Sequence, residues 1–187
     1  MNEVASLISE VEASRRRVLA ATSALSSDQG AFKPSPDQWS VTEVLEHLVL
    51  AETGGINFIW RAAEGFKVGA PLWTGASPND GRTIEEVVER TWKPKEAAPE
   101  SATPRMGGPV QYWGAALTAC QPVLARLGSE LAGLDLSAIV YPHVLSGPLD
   151  ARQRLQFLRF HLDRHVRQIE ALTHAAGFPP DSDRSGR

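Results

Sequence analysis

One segment near the end of the chain constrains the fold more than any other. Its inward-facing residues recur at alternating spacings of three and four, the period of one face of an α-helix. They are Leu155, Leu158, Leu162, His165, Ile169 and Leu172. His161 and His165 are four residues apart, so on a helix both imidazoles point the same way, one turn apart. Because a buried polar group without a partner costs free energy, these imidazoles require partners inside the fold.

The histidine pair has two interpretations. Two imidazoles at this spacing can share one metal ion, provided that a third ligand comes from elsewhere in the chain. A histidine on an apolar helix face is, however, more often a hydrogen-bonded core residue than a ligand. The spacing of His161 and His165 leaves both interpretations open.

Four long segments carry the helical pattern. The first runs from about Glu3 to Leu25, the second from Ser40 to about Glu64, and the third from Val110 to Leu131. The fourth starts with Asp150 as its N-cap and ends near Ala176, before Gly177. Four amphipathic helices joined by long connections predict an all-α fold, a four-helix bundle.

The connections are rich in proline, glycine and serine. We expect irregular structure over 26–39, 65–109 and 132–149, with a short helix from Thr83 to Trp92. Pro122 falls in the middle of the third helix and is expected to kink or split it, because proline removes a backbone donor.

The second helix has the best-defined start. Ser40 and Glu43 have the spacing of a capping box, and Trp39 stands before the cap. His47 lies about two turns further on, at the edge of the apolar stripe. It is either a boundary histidine or the third metal ligand. Glu43 could also be taken as a ligand, but the capping box already accounts for its carboxylate.

Other polar residues have simpler interpretations. Cys120 lies on the apolar stripe of the third helix and is expected to be a core residue. His143 is expected in a loop, and His174 close to the end of the last helix. Gln168 follows His165 by nearly one turn and is a candidate to orient that ligand by a hydrogen bond. Asp163 points away from the pair on a helix and is a poor general base.

The arginine run Arg15, Arg16 and Arg17 is expected to be a solvated helix face.

Length and charge exclude several classes of function. A chain of 187 residues predicts one domain, here residues 1–178, with a disordered tail over 179–187. The net charge of −3 gives no electrostatic footprint for nucleic acid, and no apolar run is long enough to span a membrane. A single cysteine and the absence of a signal-peptide core predict a cytoplasmic location.

Two motifs resemble a known family. Trp39–Leu48 (WSVTEVLEHL) is similar to the second-helix signature of the DinB-like (YfiT-like) superfamily, and His161–Ile169 (HLDRHVRQI) is similar to its fourth-helix signature. The resemblance implies a four-helix bundle, often a homodimer, with a divalent metal ion held by three histidines. Carried over, these ligands are His47, His161 and His165. Three neutral imidazoles suit Zn²⁺ or Ni²⁺.

The resemblance also implies an activity. Characterised members to which this chain is similar are metal-dependent transferases of low-molecular-weight thiols, such as bacillithiol or mycothiol, and related isomerases and hydrolases. The implied enzyme is thiol S-transferase-like or hydrolase-like and acts on a small molecule, with no nucleic-acid or membrane partner. The alternative is a non-catalytic, metal-stabilised bundle that serves as a ligand-binding or dimerisation module, because the sequence holds no recognisable nucleophile, base or cofactor motif.

Overall fold

The computed structural model describes residues 2–92 and 97–180, and most of them are helical. The α-helices are α1 (Glu3–Thr22), α2 (Ser27–Ala31), α3 (Val41–Lys67), α4 (Ile84–Thr91), α5 (Val110–Leu131) and α6 (Ala151–Thr173). Short 3-10 turns cover Glu100–Ala102 and Leu136–Ala138. Two short strands, β1 (Val140–His143) and β2 (Gly147–Asp150), complete the described part. The predicted all-α fold is confirmed.

The four long helices form a bundle. Helix α1 packs against α5 and α6, and α3 packs against the same two helices. Each contributes its apolar face to one continuous core, with fully buried side chains such as Val11, Val44, Leu117 and Leu155. Burying one such side chain stabilises the fold by about 1.5–3 kcal/mol, so the core provides the framework on which the polar residues are held.

Capping boxes define the starts of the two helices that carry the histidine motifs. Glu43 N donates to Ser40 Oγ at 3.2 Å, and Ser40 N donates to the Glu43 carboxylate at 2.7 Å. Asp150 and Gln153 make the same reciprocal pair at the start of α6. Each box satisfies two donors that a helix start would otherwise leave unpaired. The interpretation of Glu43 as a capping residue is confirmed.

The connection before α6 is more regular than expected. Residues 132–149 were predicted to be irregular, but β1 and β2 pair as an antiparallel hairpin. Tyr141 lies opposite Leu149 and both are buried, whereas Pro142 lies opposite Pro148, so neither strand needs a backbone donor at that pair. The expectation that His143 lies in a loop was therefore wrong, because His143 is the last residue of β1.

The proline inside α5 does not split the helix. Pro122 lies within the continuous segment Val110–Leu131 and on its exposed side. The expectation of a split was wrong. The carbonyl of Thr118, which loses its N–H partner to Pro122, lies on the exposed face of the helix, where water can bond to it.

The predicted tail is partly tied to the bundle. Gln29 Nε2 donates to the Pro179 carbonyl at 3.1 Å, and Phe178 packs edge-on against Phe32. The expected disorder therefore does not begin at 179, and for 181–187 the expectation lies outside the described residues. Within the described ranges, no helix has the length and apolar character needed to cross a membrane.

One arginine of the 15–17 run is buried, contrary to expectation. Arg15 is 1% exposed and forms an ion pair with Glu52 of α3, itself 3% exposed, and with Glu12. Arg16 is exposed and Arg17 pairs with Asp163 on the surface. The reason is positional: Arg15 falls between the buried residues Val11 and Val18, at the four–three spacing of the inward face.

We expect Glu52→Gln to lower the free energy of unfolding by about 3–5 kcal/mol, because Arg15 would then keep only Glu12 as a counter-charge. Urea unfolding followed by circular dichroism measures the change. The double variant Arg15→Met, Glu52→Leu should recover most of the loss, because it removes the pair as a unit. A loss below about 1 kcal/mol in the single variant would contradict a stabilising role for the pair.

Candidate metal centre

Three histidines from two neighbouring helices converge on one point. Helix α3 supplies His47, and α6 supplies His161 and His165. His161 Nε2 lies 3.0 Å from His47 Nε2 and 3.1 Å from His165 Nε2. One nitrogen of each ring lies within 4.8 Å of those of the other two, close enough for all three to hold one metal ion.

Hydrogen bonds fix which nitrogen of two of these rings carries hydrogen. His47 Nδ1 donates to the Ala102 carbonyl at 2.7 Å, and His165 Nδ1 donates to the Gln168 side-chain oxygen at 2.7 Å. Both acceptors lack a hydrogen, so in each neutral ring Nε2 is left with a free lone pair. The two lone pairs face His161 Nε2.

The chemistry of this donor set fits a cation. With His47 and His165 held in that tautomer, the three facing nitrogens can share at most one hydrogen, on His161 Nε2, and it can satisfy only one neighbour well. The other neighbour is then left without a good hydrogen bond, and if His161 carries its hydrogen on Nδ1 instead, lone pairs oppose in both contacts. A divalent ion would accept all three, and the distances from His161 Nε2 to the other two nitrogens, 3.0 and 3.1 Å, are near the spacing of about 3.3 Å around a tetrahedral zinc ion.

Burial keeps the cluster neutral. It lowers the pKa of His47, lowers that of His161 well below the ordinary value, and lowers that of His165 to about 3. The positive charge of Arg164 lowers all three pKa values further. Near pH 7 the rings therefore carry no charge, which is the form that binds a metal ion.

The carbonyl that orients His47 is itself held by α3. Glu46, which is 0% exposed, accepts backbone N–H groups from Arg105, Met106 and Gly107 at 2.7, 2.8 and 3.0 Å. These bonds fasten the connection between α4 and α5 beside the site, three residues after Ala102. Ala102 was not found from the sequence, because a backbone carbonyl carries no side-chain signal. Glu46 was not found either, because its partners are backbone N–H groups of a segment distant in sequence.

Aromatic rings cover two of the imidazoles. Trp39 lies against His47 with ring centroids 4.9 Å apart, and Phe157 stacks on His161 at 5.9 Å with an interplanar angle of 12°. The rings shield the cluster and limit the rotation of both imidazoles. Trp39 was expected at the start of the second helix, but its contact with the site could not be predicted from the sequence.

The cluster opens onto two cavities. The larger, of about 920 Å³, is lined by all three histidines, Gln168 and Arg164. The second, of about 690 Å³, is also lined by His47 and His161, and it extends past Phe58 toward the β-hairpin. Both volumes are in the range of sites that bind small molecules.

The remaining polar residues lie outside the cluster. His143 Nδ1 accepts the N–H groups of Leu145 and Ser146 in the hairpin turn. His174 is the exposed C-cap of α6, and Cys120 is buried in the core, where burial raises its thiol pKa. These residues cannot complete the set formed by His47, His161 and His165.

Fold and site together define a helical-bundle protein with a three-histidine cluster able to hold a metal ion. The family model described as the DinB superfamily matches residues 10–169. The chain therefore belongs to the DinB superfamily, and the resemblance found in its two motifs is confirmed. Comparison with curated protein sequences and with solved structures gave no match.

We expect Gln168→Leu to weaken Zn²⁺ binding by about 10–100-fold, because His165 would lose the acceptor that fixes its tautomer. Competition with a chromogenic chelator measures the affinity. Gln168→Glu keeps an acceptor and should bind nearly as tightly as the wild type, and Gln156→Leu, on the same helix, is the matched control. Equal affinities for Gln168→Leu and Gln156→Leu would contradict the orienting role.

His143 gives a prediction on stability and pH. Burial first, and the charge of Arg154 second, lower the pKa of His143 to about 3. In the unfolded chain its pKa is about 6.5, so the unfolded state takes up the proton first as the pH falls. The stability contributed by neutral His143 is thus complete above about pH 6.5 and is lost progressively toward pH 3.

The comparison variant is His143→Asn, which keeps an acceptor for the hairpin turn. Relative to it, the wild type should lose about 2 kcal/mol of unfolding free energy between pH 7 and pH 5. Urea titrations with EDTA present measure both proteins. Parallel pH dependence would show that His143 protonates freely in the folded state.

Proposed function

We propose that the protein is a metal-dependent enzyme that activates a low-molecular-weight thiol, or water, for S-transfer to or hydrolysis of a small substrate. The observation that carries the proposal is the convergence of three Nε2 atoms on one point that opens onto two cavities. His47, His161 and His165 would be the ligands of a divalent ion, with Zn²⁺ or Ni²⁺ favoured by three imidazoles. Gln168 and the Ala102 carbonyl would orient two of them.

The charge of the ligand set favours this chemistry. All three donors are neutral, and the cluster of described residues includes no carboxylate. A divalent ion held there keeps its full charge and, when bound, would lower the pKa of a coordinated thiol or water so that thiolate or hydroxide forms near neutral pH. A site of this kind favours an anionic partner over a neutral one.

The surrounding residues would bind and shield the reactants. Trp39 and Phe157 pack against the imidazoles of His47 and His161 and would limit the access of water from those two sides. Arg164 lines the larger cavity beside the cluster and adds positive charge where an anionic thiol would approach. The expectations of a homodimer and a cytoplasmic location stay predictions.

The first experiment is elemental analysis of protein purified without an affinity metal column. We expect about one equivalent of Zn or Ni per chain in the wild type, and its loss in His161→Ala. His174→Ala is the matched control, because it removes an exposed histidine from the end of the same helix. Stoichiometric metal retained in His161→Ala would contradict the assignment of ligands.

Activity is the second measurement. The metal-loaded wild type should consume a small thiol in the presence of an electrophile such as 1-chloro-2,4-dinitrobenzene, or hydrolyse a small ester or amide, and EDTA should abolish either reaction. Tight metal binding that raises Tm, without turnover in either assay, would favour the non-catalytic, metal-stabilised bundle instead.

A further inference from the structure

Arg154 is a buried cation without a counter-charge among the described residues. It lies on the first turns of α6, is 7% exposed, and lines the second cavity. Its Nε has no hydrogen-bond partner among the described residues, and Tyr141 is the only one of them that offsets the lowering of the Arg154 pKa by burial. No described residue lining this cavity is acidic. An isolated buried charge is costly, and the cost is understandable where a ligand supplies the missing anion.

Tyr141 makes a second unsatisfied donor in the same cavity. The Arg154 guanidinium lies over the Tyr141 ring, with Cζ 3.8 Å from the centroid, and so contacts the face of the ring. Among the described residues the buried Tyr141 Oη makes no hydrogen bond of normal geometry, and its polar neighbour is the Arg154 guanidinium, which partly offsets the rise that burial imposes on the pKa of the phenol. Buried polar groups are nearly always paired, so two residues that line one cavity and each hold an unpaired buried group point to a ligand that contacts both.

The helix places this polar end at a defined distance from the histidines. Arg154 and His161 are seven residues apart, which puts them on nearly the same face of α6 and about 10 Å apart along its axis. Leu158 lies between them, and Phe58 of α3 also lines this stretch. The cavity thus has imidazoles at one end, an apolar middle, and a guanidinium with a phenol at the other end.

We propose that Arg154 and Tyr141 Oη bind a carboxylate of the substrate whose reacting end lies at the three-histidine cluster. The placement of the reacting end rests on the proposed function, whereas the carboxylate site stands on the contacts of Arg154 alone. The fork of a guanidinium matches a carboxylate, and one cation neutralises one monoanion. A phosphate dianion would leave one negative charge unmatched in the described part of the cavity.

The substrate class follows from this arrangement. It is a small carboxylic acid with an apolar segment between its carboxylate and the group that reacts. The apolar segment would pack between Leu158 and Phe58, and the carboxylate would replace the missing partners of Arg154 and Tyr141.

The test uses two probes with the same carbon skeleton and different polar ends, the anion 4-phenylbutanoate and the neutral 4-phenyl-1-butanol, titrated calorimetrically into metal-free protein with EDTA present. The wild type should bind the carboxylate about tenfold or more tightly than the alcohol. Arg154→Met should abolish this preference, and Tyr141→Phe should weaken carboxylate binding about threefold. Arg152→Met, which removes a half-exposed arginine two residues away, is the control and should behave as the wild type.

Thermal unfolding separates a ligand site from a structural arginine. Without ligand, Arg154→Met should have a Tm no lower than the wild type, because it removes an uncompensated charge, and the carboxylate should raise Tm only in proteins that keep Arg154. A lower Tm for Arg154→Met together with an unchanged carboxylate preference would overturn the proposal. Tighter, Arg154-dependent binding of 4-phenylbutyl phosphate than of the carboxylate would overturn the choice of a monoanion.

These titrations and the elemental analysis together keep the two proposals distinguishable. Arg154-dependent carboxylate binding in a protein that takes up no metal would support this inference and overturn the proposed function. Stoichiometric metal without a carboxylate preference would do the reverse.

Discussion

The Glu46 carboxylate holds the connection between α4 and α5 against the bundle, and the geometry of the histidine cluster depends on it. Three consecutive backbone N–H groups donate to this buried side chain, and Trp113 Nε1 donates to the Gly107 carbonyl at 2.8 Å beside them. Hydrogen bonds to a charged group are worth about 1.5–3 kcal/mol each, which offsets the burial of the carboxylate. The connection thereby brings the Ala102 carbonyl to His47 Nδ1.

Helix α3 and the connection after α4 therefore depend on each other. Glu46 and His47 are neighbours on α3, so the same turn that anchors the connection presents the ligand that the connection orients. If the anchor were lost, His47 could adopt the other tautomer and direct an N–H at His161. The cluster would then offer two lone pairs to a metal ion instead of three. Glu46 therefore affects metal binding although it does not contact the histidine nitrogens.

The burial of aliphatic side chains in the core offsets the unfavourable free energy of the polar groups at the site. The converging nitrogens of the histidine cluster and the guanidinium of Arg154 are both unfavourable when no partner compensates them. These groups lie on helices that also carry fully buried aliphatic side chains, such as Leu155 and Ile169 on α6. Buried polar groups that lack full compensation, in a chain whose other residues follow the packing rules, are expected at functional sites.

Much of the fold could be predicted from the sequence. The three–four spacing gave the four long helices, and the capping boxes located the starts of α3 and α6, because both signals are local. The pair His161 and His165 followed from its spacing. His47 could be joined to them only through the family resemblance, because helix periodicity does not specify which faces of two helices meet. The Ala102 carbonyl was inaccessible for the same reason.

Two misses had signals that could have been used. The gap in the α1 stripe between Val11 and Val18 falls on Arg15, and a charge at such a position requires a buried partner. Arg154 continues the spacing of His165, His161 and Leu158 toward the start of α6, so it shares their face. The hairpin had no usable signal, since Pro142 and Gly147 are typical of loops and are tolerated here only because the ribbon has two strands.

The hairpin nevertheless determines one end of the second cavity. Asp150 ends β2 and caps α6, so the register of the strands is fixed relative to the helix that carries Arg154 and the histidines. A slip of one residue would turn Tyr141 to the other face of the ribbon and remove the ring on which Arg154 rests. The histidine end, by contrast, is built by α3, α6 and the connection that Glu46 holds. The two ends share α6, but the rest of each wall comes from a different element, so the β-hairpin end can change with little effect on the three histidines.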